Sequence, residues 1–399
     1  MKQDYDAVVV GGGPAGATAA HELAKAGRSV LLLDKTGRIK PCGGAIPPRL
    51  IRDFGIPDHL LCAHITSARM VAPSERGVDM PVTGGGFVGM VNREVFDEWL
   101  RERAAKCGAD RVAGTFEQFT RDPDGTAVVN FRPKGAKDDA PLERVRAKVV
   151  IAADGAKSQL ARQTVKGAEK LKYVFAYHEI IEAPQVQDAA GYDPTRCDVY
   201  YQGRISPDFY GWVFPHGTTA SVGTGSAHKG FSLRGSVKEL RKIAGLDGAK
   251  TIRHEGAPIP MKPLKRWDNG KDVVLAGDAA GVVAPASGEG IYYAMEGGRL
   301  AGEAAEQLLA TGDVAALATA RKRFMKDHGR VFMILGIMQW FWYSSDKRRE
   351  RFVTMCEDKD VQRLTWESYM NKKLVRKDPL AHIKIFFKDV GHLLGLVDA

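Results

Sequence analysis

"YDAVVVGGGPAGATAAHELAKAGRSVLLLDK", residues 5–35, decides how the rest of the chain is read. Residues 5–10 are an apolar run ending at glycines, the pattern of a strand buried on both faces of a parallel sheet. Residues 14–27 are alanine-rich with helical periodicity and close on Gly27, a C-terminal signal. Residues 29–35 read as a second buried strand. Gly11, Gly13 and Gly16 stand between strand and helix in G-x-G-x-x-G spacing. Gly11 allows the tight turn, Gly13 lets backbone approach a pyrophosphate, and Gly16 lets helix and strand pack closely. The helix N-terminus, with Pro14 and Ala15 at its start, offers N–H groups and a positive dipole end to phosphates. Asp34, followed by Lys35, ends the second strand, where a carboxylate can accept hydrogen bonds from ribose hydroxyls. Glycines alone can make a structural turn. Strand, glycines, helix, strand and acid in register point instead to a dinucleotide, and they leave FAD and NAD both open.

Outward from this unit the chain alternates. Residues 65–92 read as strands with Gly-rich turns, and 92–108 as an amphipathic helix with Val95, Trp99 and Leu100 among its apolar positions. Strand-like runs follow at 111–120, 126–132 and 143–152, then a β-rich, aromatic stretch at 172–256. "DVVLAGDAAG" (272–281) returns to the buried-strand pattern, and helical patterns dominate to the end. The expected organisation is a discontinuous nucleotide-binding domain (1–64, 93–165 and 257–325), a β-rich substrate domain (65–92 and 166–256), and a helical C-terminal region (326–399).

Composition narrows the class. The chain has 399 residues and a net charge of +10. Nucleic-acid modules concentrate such charge in a dense stripe with a recognisable motif, and neither is present, so no nucleic acid is expected as a partner. From Lys347 onward 12 basic residues face 8 acidic ones, a balance suited to an anionic membrane surface. Five cysteines are scattered without a CxxC pair, which argues against a disulfide framework or a zinc site and for a reducing compartment. No metal is expected. The N-terminus lacks the pattern of a signal peptide, and the uncharged stretch 331–345 is shorter than the roughly 20 residues of a spanning helix. The expected location is cytoplasmic, with peripheral attachment to a membrane.

Four further stretches carry candidate chemistry. "LAGDAAGVVAPASGEGIYYAMEGG" (275–298) ends a strand in Gly277 and Asp278 and runs through a loop with Pro285, Gly288 and Gly290 into a helix at Ile291. Taken alone, Asp278 reads equally as a helix cap. "AADGAKSQLAR" (152–162) puts Asp154 and Gly155 after a strand, where a turn or a cap is as good a reading. "YGWVFP" alternates Tyr210, Trp212 and Phe214 on one face before Pro215, with Gly223 and Gly225 beyond. Such an aromatic wall suits a long hydrocarbon, and it equally suits a sheet core. "PCGGA" (41–45) sets Cys42 beside Gly43, Gly44 and Ala45: a turn, a disulfide half, a metal ligand or part of an active site.

Together these stretches carry a resemblance. Residues 275–298 resemble the second FAD motif of flavoproteins with the para-hydroxybenzoate hydroxylase fold. "YGWVFP" followed by "GTG" resembles the Y-x-W-x-F-P…G-x-G signature of geranylgeranyl reductases, and "PCGGA" resembles their Cys-Gly-Gly loop beside the flavin ring. The resemblance spans nearly the whole chain, and 341–374 is similar to the C-terminal region of the chlorophyll and bacteriochlorophyll branch, which the shorter archaeal lipid reductases lack. It implies an α/β fold: a Rossmann-like FAD-binding domain, an inserted antiparallel β-sheet substrate domain and a helical C-terminal region. It implies that Asp278 bonds the ribityl chain, that the helix after Gly290 faces the flavin N1–O2 edge, that Arg93 reaches the pyrophosphate, and that the Asp154–Gly155 motif serves FAD and reductant. It places Cys42 as a lining residue beside flavin and substrate.

The implied activity is NADPH-dependent reduction of FAD, followed by saturation of three of the four geranylgeranyl double bonds to give phytyl. The substrate is the (bacterio)chlorophyll ester or the free diphosphate. An isolated trisubstituted alkene is a poor hydride acceptor, so a proton donor is required; Cys42, Tyr210 or a flavin-side water are the candidates. Tyr210, Trp212, Phe214 and Pro215 are the expected substrate contacts. Peripheral association with the photosynthetic membrane and contact with pigment-synthesis enzymes complete the implied partners. The alternatives are a flavin monooxygenase of the same fold and a non-catalytic prenyl-lipid escort.

Overall fold

The structure, a computed structural model, describes residues 2–35, 39–184 and 191–372. The chain divides into two compact units, each assembled from three separate stretches.

The first unit comprises Met1–Lys40, Arg93–Tyr173 and Pro258–Phe332. Its sheet centres on the strand Asp4–Val10, paired in parallel with Val30–Asp34 on one side and Glu143–Ala152 on the other. Asp110–Arg121 extends the sheet in parallel beyond Val30–Asp34, and Val273–Leu275 does so beyond Glu143–Ala152. Ala127–Pro133 runs antiparallel to both Asp110–Arg121 and Glu143–Ala152. Val8, Val9, Leu31, Leu32, Val150 and Ile151 are buried on either face, which is why these strands are continuously apolar rather than alternating. The helix Pro14–Lys25 lies tightly against Ile291–Thr311: a Cβ on Gly298 would stand 2.1 Å from the carbonyl oxygen of Ala15. That contact anchors the start of the glycine-loop helix. In the helix Arg93–Lys106 the buried stripe is Arg93, Phe96, Leu100 and Ala104. Val95, expected on the apolar face, is 52% exposed because it lies off that stripe.

The second unit comprises Pro41–Asn92, Val174–Ala257 and Met333–Ala399. Its seven-stranded sheet runs in the order Thr251–Pro260, Tyr173–Glu182, Thr219–Ser226, Gly211–His216, Arg196–Tyr200, Ser67–Val71, Gly77–Pro81. The expected antiparallel sheet is mixed at one place: Arg196–Tyr200 pairs in parallel with Ser67–Val71. The β-rich reading of 172–256 also passed over the helix Leu233–Ile243, capped by the Ser232 hydroxyl, which buries Val237 and Leu240 in the core beneath the sheet.

Two boundaries differ from the expected ones. Residues 41–64 fall in the second unit rather than with the nucleotide-binding stretches. Backbone pairing is the reason: Ala45–Ile46 and Leu61–Ile65 both hydrogen-bond to Val88–Val91 in a three-stranded sheet. The C-terminal stretch, over its described residues, is helical, as expected, and from Met333 onward it falls within the second unit. Asp346–Met355 and Lys359–Asn371 belong to the second unit, where the Asp346 carboxylate accepts from the Gly203 amide at 2.8 Å and the Trp366 indole donates to the Met80 carbonyl at 3.2 Å. Residues 373–399, the remainder of the expected helical region, lie outside the described residues.

Candidate active site

In the first unit the glycine loop separates packing from binding. A Cβ on Gly11 would lie 2.3 Å from the Ala153 carbonyl oxygen, and one on Gly16 would lie 1.8 Å from the Gly11 carbonyl oxygen. These two positions are sealed by backbone. A Cβ on Gly13 would meet nothing within 4 Å. Gly13 is also the N-cap of Pro14–Lys25, with no side chain capping it. Open space at an uncapped helix N-terminus fits a phosphate, since N–H groups and the dipole both favour negative charge. Asp34 stands alongside: one carboxylate oxygen accepts from the Gly12 amide at 2.8 Å and the other lies 3.3 Å from Arg101. Arg101 also donates to the Gly12 carbonyl at 3.1 Å. Lys35 is exposed beside this carboxylate.

The second motif forms a turn. Gly277 has φ +61, Asp278 follows within Gly277–Ala280, and Gly290 caps the helix Ile291–Thr311. Between them the loop through Pro285 closes on itself, the Gly288 amide donating to the Ala284 carbonyl at 3.0 Å. Asp278 is buried and ion-paired with Lys40. Neither Arg101 nor Lys40 was expected.

Two expected residues are already engaged. The Asp154 carboxylate accepts from the Ser158 hydroxyl and from the amides of Gln159 (2.8 Å) and Leu160 (3.3 Å), so it caps the helix Gln159–Thr164 beside Gly155. Burial raises its carboxyl above the ordinary range, against the lowering effect of those donors. Arg93 is buried and held by Asp97 through two bonds of 2.8 and 2.7 Å. It is therefore not a solvated helical arginine.

In the second unit the structure brings together two motifs that are distant in sequence. The Cys42–Gly44 loop lies flush on the strand Gly211–His216. A Cβ on Gly43 would stand 2.9 Å from the Phe214 ring. One on Gly44, whose φ is +72, would stand 2.5 Å from the His216 ring and 2.6 Å from the Val91 carbonyl oxygen. Only glycines fit there. The His216 Nε2 donates to the Gly43 carbonyl at 3.1 Å, while its Nδ1 lies 3.2 Å from the Asn92 side-chain oxygen and 3.6 Å from the Cys62 sulfur. The Gly44 amide donates to the Cys42 sulfur at 3.4 Å. Cys42 is half-buried and, like the other four cysteines, forms no disulfide. Among the described residues no cluster could hold a metal ion. Of the readings left open for Cys42, the disulfide half is thus removed.

Tyr210 and Trp212 have ring centroids 6.1 Å apart, and Trp212 and Phe214 6.3 Å, so the alternation does place them on one face; Pro215 is buried. Tyr210 precedes the strand by one residue and stacks on Phe209 at 4.2 Å. His216 is the next member of the same alternation, and period two alone would have found it.

The stretch 331–345 turns most of its aromatics inward. Phe332, Trp342 and Tyr343 are buried, whereas Trp340 is 75%, Met333 60% and Ile337 57% exposed. Arg349, one of the basic residues counted from Lys347 onward, is not at the surface: it is buried and donates to the carbonyls of Pro207 and Tyr343. Among the described residues no helix is long and apolar enough to cross a membrane.

A family model described as an FAD binding domain matches residues 4–324. The chain is 61% identical over 393 residues to a geranylgeranyl diphosphate reductase of Rhodobacter capsulatus, covering 98% of each protein. It is 36% identical over 405 residues to a geranylgeranyl diphosphate reductase of Synechocystis, covering 97% of each. Among solved structures, a geranylgeranyl bacteriochlorophyll reductase-like protein of Thermoplasma acidophilum has the same fold. Its TM-score is 0.81 over 95% of this chain and 99% of that one, at 24% identity.

Proposed function

The chain belongs to the geranylgeranyl reductase family of FAD-binding proteins, and on that premise we propose that it reduces geranylgeranyl double bonds to phytyl with NADPH as reductant. The substrate is the free diphosphate or the (bacterio)chlorophyll ester. One observation of geometry carries the reading: the Cys-Gly-Gly loop is seated on Phe214 and His216 of the aromatic strand, so a half-buried thiol and an apolar wall share one place.

The open cradle at Gly13, the helix N-terminus at Pro14, Ala15 and Gly16, and the Asp34 carboxylate would hold the adenosine diphosphate half of FAD. Asp278, Pro285, Gly288, Gly290 and Ile291 would hold the ribityl and ring end, and Arg93 would serve the pyrophosphate only by sharing its guanidinium with Asp97. Bound there, FAD supplies hydride to the alkene. The chain's own task is to exclude water, align the prenyl chain along Tyr210, Trp212 and Phe214, and deliver a proton to the second alkene carbon. Cys42 and Tyr210 are the proposed donors. A water-insoluble prenyl substrate is best collected at a bilayer, and Met333, Ile337 and Trp340 are the apolar residues that would touch it.

The test is direct. Purified protein should carry flavin absorbance and, given NADPH, should add two hydrogens per double bond to geranylgeranyl diphosphate, read by mass. Absence of flavin, or an unchanged mass of both the diphosphate and the geranylgeranyl (bacterio)chlorophyll ester, overturns the reading. Asp278→Ala removes the buried carboxylate, and FAD retention should fall by roughly 1.5–3 kcal/mol, the worth of a hydrogen bond to a charged group. Full FAD occupancy after dialysis would remove Asp278 from the site.

A further inference from the structure

Four adjacent strands of the second unit's sheet carry a connected line of polar groups. In sheet order they are Thr251–Pro260, Tyr173–Glu182, Thr219–Ser226 and Gly211–His216. The Glu255 carboxylate lies 2.7 Å from His178 Nε2. His178 Nδ1 lies 2.9 Å from the Ser221 hydroxyl. The Trp212 indole donates to that same hydroxyl at 3.1 Å. His178, Ser221 and Trp212 are buried, and only Glu255 reaches the surface, its side chain 21% exposed.

Acid, imidazole and hydroxyl at these distances have the layout of an acyl-transfer triad. Two facts exclude that role. Ser221 is fully buried, and its oxygen already accepts the indole N–H. One direction of donation satisfies the whole line: the indole N–H gives to the Ser221 oxygen, the Ser221 hydroxyl to His178 Nδ1, and His178 Nε2–H to Glu255. Every buried group in the line has a partner in this arrangement.

Register explains why the line ends on Trp212. Gly223 lies directly opposite both His178 and Trp212 on its two neighbouring strands. A Cβ on Gly223 would fall 2.2 Å from the Trp212 ring and 2.6 Å from the His178 Cβ. The missing side chain lets the indole lie down across the sheet, and the Ser221 hydroxyl catches its N–H there.

We propose that Glu255, His178 and Ser221 are positioning residues that fix the plane of Trp212 and so set the length of prenyl chain the aromatic wall accepts. The inference rests on the functional reading above, in which Trp212 lines the prenyl site. None of the three residues touches substrate or cofactor in this account; they act through the indole.

The experiment uses the flavin-loaded enzyme labelled with 5-fluorotryptophan, the Trp212 resonance being identified by its loss in Trp212→Phe. Kinetics are measured on geranylgeranyl and farnesyl diphosphates. Ser221→Ala should move the Trp212 resonance and raise KM for the longer substrate about five- to tenfold relative to the shorter, with kcat within twofold. In the Trp212→Phe background the same substitution should change that ratio less than twofold. Glu255→Ala, at the one partly exposed position of the line, should act in the same direction, and Glu255→Gln, which keeps an acceptor, should restore most of the ratio. A wild type that reduces neither diphosphate, nor the (bacterio)chlorophyll esters of the same two chain lengths assayed in the same way, overturns the functional reading and this inference with it. A wild type that reduces both, with an unmoved resonance or an unchanged KM ratio in Ser221→Ala and Glu255→Ala, overturns the relay alone.

Discussion

Gly44 is the residue on which the reading of the Cys42 loop turns. Its backbone is left-handed, and any side chain would strike the His216 ring and the Val91 carbonyl. Gly44→Ala should therefore lose about 1–3 kcal/mol of stability, combining a strained φ with overpacking. Thermal unfolding measures the loss, and a variant as stable as wild type would show that the loop does not sit on that strand. In the proposed function Cys42 serves the substrate. Cys42→Ser should slow prenyl reduction more than flavin reduction by NADPH in rapid-mixing experiments; equal slowing of both removes the substrate-side role. The glycines, Cys42 and the aromatic face were legible because each depends on local spacing. His216 was legible too, two residues beyond Phe214, but Pro215 had closed the pattern. Lys40 and Arg101 were not legible. Their partners, Asp278 and Gly12, lie 238 and 89 residues away along the chain, and no local pattern encodes which loop the sheet brings near.

At the scale of elements, the buried parallel strands announced themselves by continuous apolar runs. The helix Leu233–Ile243 did not, because it interrupts a long β-rich stretch with only two strongly apolar core residues, Val237 and Leu240. One carboxylate ties the central strand to both neighbours. Asp6 accepts from the Ser29 amide (3.0 Å) and hydroxyl (2.9 Å) ahead of Val30–Asp34, and from Lys148 of Glu143–Ala152 at 2.8 Å. The Lys148 bond above all, with the Ser29 donors and against some burial, holds its carboxyl down at about 2. A depressed acid stabilises the fold above its unfolded value, near 3.9, and loses that contribution as pH falls through the folded value. Wild type should thus be more stable than Asp6→Asn by about 1 kcal/mol at pH 5, after allowance for solvent screening. The gap should close toward pH 2 in denaturant titrations. A gap that stays constant with pH would show that Asp6 acts by packing rather than by charge.

At the scale of the molecule, the three most exposed large apolar residues among those described are Met333, Ile337 and Trp340, spaced four and three apart on one side of the helix Ala318–Trp342. Ile337→Glu with Trp340→Glu should abolish co-sedimentation with anionic vesicles at low salt while flavin content stays intact. Wild type that ignores such vesicles would mean that substrate arrives by a carrier. Arg349, by contrast, is unsuitable for a charge-reversal test, since it is buried and holds two carbonyls. The threading of the chain bears on how the protein is made. The strand Asp4–Val10 leaves the ribosome first, yet its neighbour Glu143–Ala152 follows only after a stretch of the second unit, and Val273–Leu275 only after another. At about 5–20 residues per second, the interval is on the order of tens of seconds. Until Glu143–Ala152 emerges, a strand ending in three valines has only Val30–Asp34 beside it and one edge unpaired, so the newborn chain needs protection from aggregation that the finished enzyme does not. Limited proteolysis of stalled nascent chains should find Asp4–Val10 cleavable until Ala152 has emerged, and a fragment ending before residue 143 protected from the start would contradict this.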